Sequence, residues 1–313
     1  MVKIQHYVPR FYLRNFAADH AADHLIHCFD KANSKQFIVN IGKIAGEKYF
    51  YDLGDKTHEL VEGILSRYEG VFDDAYYRLV TKKHLGYLDW NEKESIAYFL
   101  ATQEIRTKEM REFFRNIAKD LKRSLSTRNP PEDFRKKLEK LGMEKSIRSA
   151  QLELLFETLT GKAEFVDTVL KMKWILIENN TKMPFWTSDH PVNRFNPEDW
   201  SPYGNLGLLS QGIQICFPLT SRLSLSVVDP IEYYFIPDKM VADEDHVLFQ
   251  NTLQVRSSTR HIFSRKDDFS VARRWLEENP SFRDISRERI TEGFDQSKGK
   301  RLQKSPRFWW NGK

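Results

Sequence analysis

Residues 213–227 read Ile-Gln-Ile-Cys-Phe-Pro-Leu-Thr-Ser-Arg-Leu-Ser-Leu-Ser-Val. Ile213, Ile215 and Phe217 alternate with Gln214 and Cys216, and Leu223, Leu225 and Val227 alternate with Ser224 and Ser226. A period of two belongs to a β-strand, because successive side chains point to opposite faces. Two compact apolar runs upstream, Trp174–Ile177 and Phe185–Thr187, and one downstream, His261–Phe263, have the size and composition of further strands of one sheet. Asp243–Ser257 reads as a helix set among them.

Toward the N-terminus, Leu25–Phe29 and Gln36–Val39 flank the turn residues Lys31-Ala32-Asn33-Ser34 and read as a β-hairpin. Lys48–Tyr51 is another strand-like fragment. Residues 57–160 change period. A helix over about 57–81 places Val61, Ile64, Leu65, Tyr68, Phe72, Ala75 and Leu79 on one face. A second is expected from Asn91 to about Ser124, opened by an Asn91…Glu94 pair that resembles a capping box. Asn129-Pro130-Pro131 breaks the pattern, and helices over 132–141 and 146–160 follow. The fold class is therefore α+β, with a helical block (about 57–160) inserted between β segments that form one mixed or antiparallel sheet. Residues 1–279 are expected to form a single domain, because the N-terminal β segment is too small to cover its own face. Residues 280–313 are expected to be a basic C-terminal tail. It holds Lys298, Lys300, Arg301, Lys304 and Arg307 before Phe308-Trp309-Trp310.

Charged residues make up 30% and hydrophobic residues 40%, as in ordinary globular chains. The net charge of +5 permits an anionic partner without requiring one, so any basic patch must be local. The basic residues of 106–140 are interleaved with acidic ones and read as a solvated helix surface. Cys28 and Cys216 lie far apart and outside any metal spacing, which points to a reducing cytoplasm and no disulfide framework. There is no signal-peptide pattern and no apolar run near the ~20 residues a membrane helix needs. The chain is expected to be cytoplasmic, off the membrane and complete from residue 1. It has no Gly-rich phosphate loop, no Gly-x-Ser-x-Gly elbow and no HExxH pair, which argues against nucleotide-triphosphate hydrolysis, α/β-hydrolase chemistry and a zinc site. No metal and no cofactor is expected. An oligomer is compatible with the sequence.

The first sixteen residues, MVKIQHYVPRFYLRNF, set Gln5, His6, Arg10 and Arg14 among Tyr7, Val8, Phe11, Tyr12, Leu13 and Phe16. Chain starts are usually polar and frayed. This one carries enough apolar surface to be tucked into the body, and a guanidinium buried with it needs a partner, either an anion or a structural carboxylate. Gln103 falls near the middle of the second helix's apolar stripe, with Arg106 about 60° away. Arg10, Arg14 and Arg106 are therefore candidates to converge on one anion.

The stretch QHYVPRFYLRNF resembles the opening of a bacterial family, domain-of-unknown-function family 4238. Gln103-Glu104-Ile105-Arg106-Thr107, Thr187-Ser188-Asp189-His190-Pro191, Phe217-Pro218-Leu219-Thr220 and Asn251 fit the same pattern, so the resemblance spans roughly residues 5–265. It implies an intracellular bacterial or phage-borne protein linked to single-gene phage defence, and it supplies no reaction. Position 190 is His here, where the resemblance implies Asn about as often, which argues against a catalytic His190.

The reading reached is a nucleic-acid-directed effector, a metal-independent ribonuclease in a phage-defence or toxin context. RNA cleavage without metal needs a base, an acid and cations for the developing charge. His6 is the acid/base candidate, Arg10 and Arg106 the phosphate candidates, and Asp189 a carboxylate holding them in order. Gln5, Arg14, Gln103, Ser188, His190 and Asn251 would bind substrate. The alternatives are a non-catalytic sensor of a nucleotide or phage component, and a carboxylate-metal nuclease using Glu62, Glu69 and Asp189.

Overall fold

A computed structural model describes residues 4–18, 24–53, 57–126, 131–140, 143–162, 164–197 and 206–287. The chain opens with strand β1 (Ile4–His6), a one-turn helix α1 (Arg10–Leu13) and a 3-10 turn. The expected hairpin follows as β2 (Leu25–Asp30) and β3 (Lys35–Asn40), with Ile26 opposite Val39. Strand β4 (Gly46–Lys48) returns to pair antiparallel with β1. The fragment expected at Lys48–Tyr51 thus lies earlier. Tyr49 has φ +54, which breaks the strand, and Phe50 and Tyr51 turn into the core.

The helical block comprises α2 (Thr57–Lys82), α3 (Trp90–Ile105), α4 (Lys108–Ser126), α5 (Glu132–Lys140), α6 (Glu144–Leu159) and α7 (Phe165–Lys171). It therefore runs past residue 160. Two expectations need correction. The capping box is Asp89 with Glu92, two residues before the expected pair. The single helix over 91–124 is two helices, broken at Arg106–Thr107. Gln151 of α6 is the physical reason, since its Nε2 donates to the carbonyls of Ile105 and Thr107 at 2.8 Å each. Thr107 Oγ1 accepts the amide of Met110 at 3.4 Å, in the manner of an N-cap.

The remaining elements are β5 (Lys173–Asn179), β6 (Thr187–Ser188), β7 (Asn193–Phe195), β8 (Gln214–Thr220), β9 (Leu223–Val228), β10 (Lys239–Ala242), α8 (Glu244–Ser257), β11 (His261–Ser264) and α9 (Ser270–Glu278). The class is α+β, as read, but among the described residues the strands fall into three sheets. Beside the β1–β4 pair there is a mixed sheet of order β10-β5-β9-β8-β7 and an antiparallel sheet of order β3-β2-β11-β6. The separation has a packing cause. Strands β8 and β9 are buried on both faces. On one face Leu223, Leu225 and Val227 join the core shared with the helical block. On the other, Ser224 Oγ donates to Gln250 of α8 at 2.6 Å and Cys216 packs on Leu253. The hairpin β2–β3 finds its partner in β11 instead, with His261 opposite Asp30.

The N-terminal segment is tucked in. Tyr12 stacks on Phe217 with centroids 5.1 Å apart, and its hydroxyl donates to Pro218 O at 2.7 Å. Residues 280–287 lie on the body, where Arg283 meets Ser34 and Arg287 pairs with Glu109 at 2.9 Å. The remainder of the expected basic tail, including Lys298–Arg307 and Phe308-Trp309-Trp310, lies outside the described residues. No described helix is long and apolar enough to cross a membrane.

Candidate functional site

Of the residues singled out in the sequence, Gln103 and Arg106 bond to backbone carbonyls of the N-terminal motif, and Gln5 to the amide of Tyr51. Gln5 is fully buried and its Oε1 accepts the amide of Tyr51 at 2.7 Å. Gln103, also fully buried, donates to Tyr7 O at 3.0 Å. Arg106 is spread over three partners. Nη2 donates to His6 O at 2.6 Å, Nη1 to Glu69 at 2.7 Å and Nε to the Tyr51 hydroxyl at 3.2 Å. Burial opposes its charge, yet Tyr51 and Glu69 outweigh burial and hold its pKa above the ordinary Arg range.

Arg10 and Arg14 are exposed on the surface of α1 and the turn after it. The three guanidinium groups therefore do not converge on one anion. Arg106 has a structural carboxylate instead. His6 is half-buried beside Arg10, Arg106 and Glu69, and burial, followed by Arg10, pushes its pKa below 6.5. Its Nε2 is buried without a hydrogen-bond partner.

The turn after β6 is organised around Asp189, which is 1% exposed. Oδ1 accepts the amide of Thr259, and Oδ2 accepts the amides of Arg260 and His261, each at 2.8 Å. Asp and Ser before Pro commonly satisfy nearby backbone groups. Here the satisfied groups are 70 or more positions away in sequence. Expected as a catalytic carboxylate, Asp189 has its lone pairs taken by backbone donors. Ser188 Oγ donates to Gln254 at 2.7 Å. Asn251 holds the amide of Trp186 and the carbonyl of Pro184, at 2.8 and 2.9 Å. These side chains were expected to touch substrate, and they tie α8 to the 184–191 segment instead.

The expected site residues thus form two groups. His6, Arg10, Arg106 and Glu69 lie together on one, and Asp189 and His190 belong to the other. Thr107 links the helix break to the second group, its Oγ1 lying 2.8 Å from His190 Nδ1. Glu69 and Asp189 belong to different groups, and no set of three or more His, Cys, Asp or Glu side chains that could hold a metal occurs among the described residues. Two surface concavities, one lined by Leu88, Lys93 and Trp174 and one by Phe165, Leu208 and Ser210, include none of these residues.

The second group gains members that the sequence did not mark. His261 donates its backbone amide to Asp189, and its Nδ1 lies 4.0 Å from Oδ2. Burial lowers the pKa of both His190 and His261. Their neighbours then differ. Glu109, Glu104 and Asp189 favour a proton on His190 against Arg287, and Asp189 and Asp30 favour one on His261 against Arg260 and Lys108. Lys108 follows Thr107 directly, lies 5.3 Å over the ring of Tyr7 and pairs with Glu47. That pair is partly exposed, 30% and 46%, so releasing Lys108 costs little. Two half-buried imidazoles thus feel one fixed carboxylate, and Lys108 acts by charge on one of them, His261. Spacing in the sequence gives no signal for His261 or Lys108, because only the pairing of β11 with β6 and the helix break bring them in.

No curated protein and no solved structure matches the chain. A family model described as "Protein of unknown function (DUF4238)" matches residues 4–268. That span takes in the N-terminal motif, the helix break, the Asp189 turn and β11, so the chain belongs to this family.

Proposed function

We propose that the protein is a nucleic-acid-directed effector that cleaves RNA without a metal, in a phage-defence or toxin setting, using His190 and His261 as its acid–base pair. The observation that supports this reading is the placement of both imidazoles around Asp189, with Lys108 acting on His261. In such a cleavage the base takes the 2′-hydroxyl proton. The freed oxygen bonds to the adjacent phosphorus, the acid protonates the departing 5′ oxygen, and a cyclic phosphate remains. Burial favours neutral His261, and Arg260 and Lys108 add to it against the larger pull of Asp189 and Asp30, which suits His261 to the base role. Burial lowers His190 as well, and Glu109, Glu104 and Asp189 work against that lowering, which suits His190 to the acid role of the two. Attraction for a polyanion comes largely from the C-terminal residues. Arg289, Lys298, Lys300, Arg301, Lys304, Arg307 and Lys313 against Glu288, Glu292 and Asp295 give +4 of the chain's +5.

The rival reading is a non-catalytic sensor of a nucleotide or phage component. It is favoured by position 190, where the family resemblance implies Asn about as often as His. Incubating the protein with total RNA and DNA, with and without EDTA, separates the two. Fragmentation of RNA that persists in EDTA is expected. His190→Asn and His261→Asn are each expected to slow it by roughly 10²–10⁴-fold, the usual weight of one proton-transfer group. RNA left intact by the parent protein refutes the nuclease reading. A His190→Asn variant that cleaves at the parental rate refutes the two-imidazole mechanism.

A further inference from the structure

On α4 and the start of α6, three guanidinium groups act on Glu144, and one of them, Arg115, also pairs with Glu112. Arg115 reaches Glu144 at 2.6 Å and Arg148 reaches it at 2.8 Å. Arg111 also acts on Glu144 by charge. Glu144 is the first residue of α6, a helix whose N-cap, Met143, offers no side-chain acceptor. The amides of that first turn and the helix dipole therefore add to the positive field.

Arg111 is the telling member. It is 5% exposed, and its hydrogen bonds go to neutral oxygens, Gln151 Oε1 at 2.9 Å and Phe50 O at 3.0 Å. Its guanidinium lies 3.7 Å over the Phe50 ring. Burial and the neighbouring Arg148 lower its pKa to about 10, so its charge is poorly compensated. Arg106 and Arg194, by contrast, each have a carboxylate in direct contact, Glu69 and Glu104. A buried charge without a partner is costly. Glu144 is 49% exposed and bonded by two Arg, and it fills the place an external oxyanion would take.

We infer that Arg111, Arg115 and Arg148, with the uncapped N-terminus of α6, form a binding site for a phosphate group, and that Glu144 occupies it when no ligand is present. The chemistry suits a phosphate rather than a carboxylate ligand. Forked guanidinium donors match its oxygens, and a second negative charge lets it displace a single carboxylate. The site is independent of His190 and His261, so it stands or falls apart from the cleavage reading.

Calorimetric titration of the full chain with inorganic phosphate and, separately, with a nucleoside monophosphate tests it. Glu144→Gln removes the competing carboxylate at an exposed position and is expected to tighten phosphate binding about tenfold, equivalent to ~1.4 kcal/mol. Arg115→Met is expected to weaken it by a similar factor, and Arg111→Met more. Stronger binding of the nucleotide than of inorganic phosphate assigns the site to a nucleotide, and equal binding assigns it to free phosphate. Parent and Glu144→Gln proteins that both fail to bind either ligand overturn the inference, as does binding unaffected by Glu144→Gln and Arg115→Met. Because those two side chains are partly exposed, the outcome does not depend on whether Arg111→Met folds.

Discussion

Asp189→Asn separates a structural carboxylate from a catalytic one. The parent side chain accepts three backbone N–H groups at 2.8 Å, one on Oδ1 and two on Oδ2. Asparagine has one acceptor oxygen. Its best orientation keeps that oxygen on the amides of Arg260 and His261 and turns its own NH₂ toward the amide of Thr259, donor against donor. One charge-assisted bond is lost outright, at about 2 kcal/mol, and two more lose their charge, at about 1 kcal/mol each. The sum is about 4 kcal/mol, or a fall in melting temperature of roughly 8–16 °C at 2–4 °C per kcal/mol. Thermal unfolding followed by circular dichroism measures it. A variant that melts within about 2 °C of the parent would show that the three bonds carry no such weight, and loss of activity without loss of stability would return Asp189 to a catalytic role.

Arg106→Met should destabilise by about 3–5 kcal/mol, the cost of breaking a buried ion pair. Unchanged urea unfolding together with lost RNA binding would instead make Arg106 a phosphate ligand. Burial pushes His246 down to about 4, while the unfolded chain takes the proton near 6.5. Its stability contribution is full above pH 6.5 and is lost as pH falls toward 4, about 3 kcal/mol in all. Urea midpoints of His246→Gln across that window should be correspondingly flatter, and a slope equal to the parent's counts against the assignment. Burial lowers both His190 and His261, so cleavage that needs one of them charged and one neutral should peak below pH 6.5. A rate still rising above pH 7.5 is incompatible with that pair.

The elements whose cause is local were legible in the sequence. The hairpin at 25–39, the helix opened by Asp243 and the strands at 213–227 each carry their period and turn chemistry within a few residues. What was missed has causes far away along the chain. The break at Arg106–Thr107 contains no Gly or Pro, and Gln151 makes it from another helix. The division into separate sheets follows from His261 pairing with Asp30, a choice no window of sequence displays. At the site, the burial of Gln5, Gln103 and Arg106 was legible, because polar groups inside apolar stripes must be satisfied. Their partners were not. Gln5 and Gln103 serve backbone groups, and two of the three partners of Arg106 are a structural carboxylate and a carbonyl.

The residues that carry the family resemblance can therefore be understood as a joint. Tyr12 spans Thr187 and Pro218, Arg106 and Gln103 hold the carbonyls of His6 and Tyr7, and Thr107 meets His190. Each bond crosses between segments distant in sequence, so each fixes a position that hydrophobic packing alone would leave loose. Buried polar networks act in this way, although Gln103 Oε1 has no hydrogen-bond partner here. The groups able to meet a ligand are carried on that joint rather than built into it. Lys108 follows the helix break, His190 follows Asp189, and the amide of His261 is the last of the three that Asp189 holds. A substitution inside the joint, His190 included, is expected to lower stability, whereas on the proposed function His261 and Lys108 are expected to change activity alone.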